Sequence, residues 1–125
     1  MTTRSVAGGK ATLSMLGPAL LRLTYAPNSE VLPADAKAIL ETSSALVGGS
    51  SYAILVDMPS ILRMSSAARA LFGAEDKVLA AAMLGVTPMD RVLAASMTQA
   101  VHDVQFFVDE GTALRWLTGR LPHNA

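Results

Sequence analysis

Three short apolar segments, Tyr52–Val56 (YAILV), Val78–Leu84 (VLAAAML) and Val104–Val108 (VQFFV), recur along the chain with stretches of helical periodicity between them. A brief run of apolar residues bounded by turn signals marks a strand covered on both faces. Strands that alternate with helices build a mainly parallel, layered sheet joined by right-handed crossovers. This one pattern places the chain in the α/β class.

The helices announce their own ends. Pro33 and Asp35 open the first, with proline in the first turn and an acid near the positive end of the helix dipole. Ala36, Ile39, Leu40, Ser43 and Leu46 follow at helical spacing, and Gly48-Gly49 stops it. A short helix is expected from Ser65 to Phe72, ended by Gly73. Thr87-Pro88-Met89-Asp90 supplies a threonine cap, a proline at the first position and an acid at the third. Val92, Leu93, Met97 and Ala100 are read as the inward stripe of that helix. Asp109 caps a last helix through Leu121, with Ala113, Leu114, Trp116 and Leu117 facing inward.

Upstream, Ala11–Leu16 and Leu20–Tyr25 are split by Gly17-Pro18 and read as paired strands at a sheet edge. Leu21, Leu23 and Tyr25 alternate there with Arg22 and Thr24. Residues 1–9 hold Gly8-Gly9 and no periodic pattern, so a flexible tail is expected there, with a second tail at 122–125. A single domain over residues 10–121 remains, in the order ββαβαβαβα, with about five strands and four helices.

Composition excludes several function classes. Charged residues make up 16% of the 125, and ten basic groups balance ten acidic ones, which argues against a nucleic-acid or anionic-membrane partner. Mean hydropathy is +0.39, yet no apolar run approaches the ~18 residues of a membrane span, so no transmembrane segment is expected. The absence of cysteine excludes disulfides, thiol catalysis and thiolate zinc sites. Met1–Ser5 is polar and lacks the apolar core of a secretory signal, so a cytoplasmic location is expected.

Catalytic and cofactor motifs are missing as well. Gly48-Gly49-Ser50-Ser51 follows a helix and precedes a strand, the reverse of a phosphate cradle. His102 and His123 have no partner at metal-ligand spacing, and no Gly-x-Ser-x-Gly elbow occurs. Glu75-Asp76 and Asp109-Glu110 sit where acids cap backbones. No enzyme, metal or cofactor is expected. Asp57 ends a core strand at the edge where open α/β sheets bind ligands. Ile54–Pro59 looks like the phosphoacceptor strand of a receiver domain, but the acidic pair and the lysine which that family needs are absent. Asp57 is therefore expected to cap the next turn.

From Asp57 the chain reads Asp-Met-Pro-Ser-Ile-Leu-Arg-Met-Ser-Ser-Ala-Ala-Arg, a strand ending in aspartate, an apolar loop and two serines opening a helix. This resembles the STAS domain of anti-sigma-factor antagonists (SpoIIAA-like), with Ser65 and Ser66 in the two serine positions. The resemblance implies that the first serine is a phosphoacceptor whose charge turns off partner binding. Met64 stands where that family has aspartate, and Ala67 where it has glycine. The stretch Phe106–Leu117 is similar to the last strand and helix of small bacterial STAS/SpoIIAA-like or CRAL-TRIO-like domains. What this implies is a SpoIIAA-like fold, a mixed sheet of four or five strands with helices against it.

Two functions fit these residues. The first is a regulatory interaction module using Asp57, Met58, Ile61, Leu62, Arg63, Met64 and Arg69 together with Ser65 and Ser66. Four large apolar side chains in a loop either form an exposed patch for a protein partner or a second copy, as in a homodimer, or fold back over the core. The second is a domain for a small apolar molecule or lipid. Its pocket would lie between that loop and the helix at Pro88, edged by Arg63, Ser65, Arg69, Asp90 and Arg91. Otherwise those arginines are solvated helix surface.

Overall fold

The computed structural model describes residues 2–59, 61–95 and 100–121. His123, Met97 and Ser60 lie outside them, as does the expected tail at 122–125.

Thr3–Val6 forms a strand (β1) rather than a loose tail. It pairs antiparallel with Ala11–Gly17 (β2), from Thr3 opposite Ser14 to Val6 opposite Ala11. Only Val6 of its four residues is buried, so no periodicity betrays the strand. The two glycines serve a tight turn: Gly8 and Gly9 take φ of 66° and 91°, a region open to glycine at little cost. β2 then makes a hairpin with Leu20–Tyr25 (β3).

From β3 onward every sheet neighbour is parallel: Tyr52–Asp57 (β5), Val78–Leu84 (β7) and Asp103–Phe107 (β8). The sheet has six strands in the order β1-β2-β3-β5-β7-β8. Two further strands, Ser29–Val31 (β4) and Ile61–Met64 (β6), pair parallel as a separate ribbon. They are only three and four residues long, too short to register as strands in the sequence.

The four helices are Pro33–Leu46 (α1), Ser66–Ala74 (α2), Pro88–Ala95 (α3) and Glu110–Arg120 (α4). Strands added always on the same side by right-handed crossovers put their helices on one face. Ile39 of α1, Ala68 of α2 and Ala94 of α3 accordingly share a core with Leu23, Ile54, Val56 and Met83. α4 follows the last strand and packs on the other face, where Ala113 and Leu117 meet Ala53, Leu55, Ala80 and Ala82. The three strand alanines are completely buried, and their small side chains let α4 approach the sheet closely. A register shift after the Tyr52–Val78 pair opens a bulge, so Val78 and Ala81 point to the same face three residues apart. Among the described residues no helix is long and apolar enough to cross a membrane.

Candidate functional site

The parallel strands β3, β5, β7 and β8 end on one edge, and the loops leaving them form the functional rim of such a sheet. Asp57 stands at this edge, and its carboxylate is held from the neighbouring strand. Arg22 grips it with two hydrogen bonds, Nε to Oδ2 at 2.8 Å and Nη2 to Oδ1 at 2.9 Å. The Thr24 hydroxyl donates to Oδ2 at 2.8 Å, and the Nη1 of Arg22 meets Glu110 at 2.8 Å. The bond to Asp57 raises the pKa of an arginine that is charged in any case. Both oxygens of Asp57 are thus engaged by neighbours across the strand.

The apolar patch expected at 58–64 is split by the fold. Met58 is fully buried and Met64 nearly so, both in the main core. Met58 is held by its N–H on the carbonyl of Leu84, and Met64 pairs with Val31 in the small ribbon. Ile61 is half-buried, while Leu62 and Arg63 are exposed. Ser65 is the N-cap of α2, its Oγ accepting from Ala68 N–H at 3.1 Å. Ser66 is exposed. Arg69 is not free helix surface: it donates to the Met64 carbonyl at 2.9 Å and to Ser66 Oγ at 3.2 Å. The structure thus brings Met64, Ser65, Ser66 and Arg69 together and ties Asp57 to other partners.

Asp90 and Arg91 are engaged by their own neighbours. Asp90 is buried and accepts the N–H groups of Val86 and Thr87 at 2.9 and 3.1 Å, while Thr87 Oγ1 accepts the Asp90 N–H at 3.1 Å. This is the reciprocal capping box that Thr87-Pro88-Met89-Asp90 implies. Arg91 lies over the ring of Phe106, 4.7 Å from its centre. The inward stripe of α3 runs through Asp90 and Ala94, which turns Val92 out to solvent.

A cavity lies between the sheet and the α1–α2 layer. Of the residues expected to edge a pocket or to form the interaction loop, Met64 alone lines it. Tyr25, Ser43, Tyr52 and His102 are among its lining residues, and the lining itself is almost wholly apolar. His102 is half-buried, with Nδ1 3.3 Å from the Glu75 carbonyl, and its burial lowers its pKa below the usual imidazole value. The sequence marks Tyr25 only as an inward strand residue, and its hydroxyl leaves no signal there. Among the described residues no group of three metal-binding side chains converges.

Residues 16–120 match the model of a family described as Domain of unknown function (DUF7793). The chain belongs to DUF7793. The match is to this family and not to a STAS family, so the STAS-like motif marks a shared architecture. An uncharacterised protein of the DUF3478 family from Shewanella loihica PV-4, described as having a SpoIIAA-like fold, superposes with a TM-score of 0.62 at 14% identity. That similarity covers 90% of the DUF7793 chain and 94% of the other. It establishes the SpoIIAA-like fold. A protein with unknown function from Arthrobacter sp. FB24 is 32% identical, covering 85% of this chain and 97% of that one, with a TM-score of 0.33. No curated protein matches the chain.

Proposed function

We propose that this DUF7793 chain is a non-catalytic, cytoplasmic interaction module that presents the carboxyl edge of its sheet to a protein partner. One observation carries the reading: each of the four connections leaving that edge exposes a large apolar side chain. Leu32 lies between β3 and α1, Leu62 between β5 and α2, Val86 between β7 and α3, and Val108 between β8 and α4. Met89 and Val92 extend the set along α3, and Met89, at 74%, is the most exposed large hydrophobic among the described residues. A single exposed apolar residue is ordinary, but a concentration on one functional rim is the mark of a binding surface.

The non-catalytic part rests on the carboxylates of the same rim. Asp57 is held by Arg22 and Thr24, and Asp90 by two backbone N–H groups, so neither is poised for acid–base work. The regulatory part rests on the resemblance at Ser65 and Ser66. A phosphate on either serine would sit at the N-terminus of α2 beside Arg69, next to Leu62 and Arg63. New charge there would favour the helix end and oppose an apolar contact.

The test is a photo-crosslinking residue placed at Met89 in the native cell, with the exposed Lys37 of α1 as control. A discrete adduct from position 89 and none from 37 supports the reading, and the adduct's mass separates a second copy from another protein. No adduct from 89, or the same adducts from both positions, overturns it.

A further inference from the structure

The six-stranded sheet ends on β1 and β8, whose outer sides meet no further strand among the described residues. A strand edge carries a row of free N–H and C=O groups, and proteins usually blunt it with charge, proline, a bulge or brevity. β1 follows that rule: it is four residues long and carries the exposed Arg4 near its middle. β8 does not. It pairs with β7 over five residues without a register shift, and the run Val104–Val108 (VQFFV) holds no charge, glycine or proline. Asp103, the one acid of the strand, is held by Arg120 of α4. Val101 and Val108, 69% and 65% exposed, stand just beyond the two ends of the strand.

The hydrogen bonding to β7 decides which backbone groups are left for the open edge. Phe107 accepts the Gly85 N–H at 3.0 Å, so its backbone groups face the β7 side. Backbone direction alternates along a strand, which turns the N–H and C=O of Val104 and Phe106 outward. We propose that two copies of the chain join at β8 across a two-fold axis, continuing into one sheet with six strands from each. Identical edges related by such an axis meet antiparallel. An axis through Gln105 sets Val104 of each copy opposite Phe106 of the other, and these pairs exchange N–H···O=C bonds in both directions. A β-branched side chain opposite an aromatic one is a favourable cross-strand pair. The two Gln105 side chains meet as neutral amides, and Asp103 falls opposite Phe107, so no like charges face each other. At β1 the corresponding pairing would bring the two Arg4 residues together at the axis. A net charge of zero leaves no general repulsion between copies. This joint lies along the side of the sheet and goes beyond the rim reading above, with Val108 bordering both surfaces.

The experiment follows the full chain by sedimentation velocity over a range of concentrations, and a saturable dimer is expected. Gln105 is exposed, so Gln105→Glu and Gln105→Lys keep the fold. Each should weaken the dimer at least about tenfold by setting like charges face to face. Mixed in equal amounts, the two variants should regain the dimer as a heterodimer. Arg4→Glu on the other edge and Leu62→Glu on the rim should leave the dimer unchanged. A chain that stays monomeric up to its solubility limit overturns the proposal. So does a dimer indifferent to charge at position 105, or one that mixing does not restore. A dimer lost on Arg4→Glu or Leu62→Glu overturns it as well, by moving the joint to β1 or to the rim.

Discussion

Gly85 joins β7 to the loop before α3, and its φ is not in the left-handed region, so its need for glycine is one of space. A Cβ built there would lie 2.6 Å from the Cβ of Asp90 and 2.8 Å from Cε1 of Phe106. Neither neighbour can step aside cheaply. Asp90 is buried and its carboxylate holds the N–H groups of Val86 and Thr87, while Phe106 lies under Arg91. Overpacking of this kind costs about 1–3 kcal/mol, and dislodging the capping carboxylate adds about 0.5–2 kcal/mol. Gly85→Ala is therefore expected to lose about 2–4 kcal/mol of unfolding free energy in urea titrations followed by circular dichroism. Gly119 supplies the opposite sign. It lies in α4 with no atom within 4 Å of a would-be Cβ, so Gly119→Ala should gain about 0.5–1 kcal/mol by helix propensity. A Gly85→Ala protein within 0.5 kcal/mol of the parent would refute the packing argument at the base of α3.

Ser65→Ala should cost about 1 kcal/mol in the same titration because it removes the cap of α2, whereas Ser66→Ala, on an exposed first-turn residue, should change stability by less than about 0.5 kcal/mol. Tyr25→Phe, which removes a buried hydroxyl without a partner among the described residues, should raise unfolding free energy by about 1 kcal/mol; a loss of that size would show that the hydroxyl is paired. Burial lowers the pKa of His102 in the folded chain, so the unfolded chain binds more protons just below the usual imidazole pKa. Stability is then full above ~6.5 and falls as pH drops through the folded value; His102→Gln should flatten that slope between about pH 7 and 5, and an unchanged slope would remove His102 from the account.

The parallel core was legible because its signals are local. The apolar runs at Tyr52 and Val78 are strands buried on both faces, and the caps at Thr87 and Asp109 do what their residue types imply, Asp109 accepting from Thr112 N–H at 2.8 Å. What escaped depends on distance or on very short elements. The Arg22–Asp57 pair joins residues 35 apart in sequence, and no pattern announces it. β1, β4 and β6 are too brief for periodicity, so in the sequence the first reads as a tail and the last as an apolar loop. A helix stripe drawn through the apolar residues alone points Val92 inward. The true stripe includes the buried capping acid Asp90, and that rotates Val92 and Met89 outward onto the rim.

The claim that the four connections act as one docking surface is tested most directly by moving the perturbation and the reporter to different loops. With the photo-crosslinking residue at Leu62, between β5 and α2, the paired substitution Met89→Glu and Val92→Glu on α3 changes only exposed side chains. The account predicts that the adduct formed from position 62 disappears while the chain keeps its melting temperature. An adduct of undiminished yield from position 62 would contradict it.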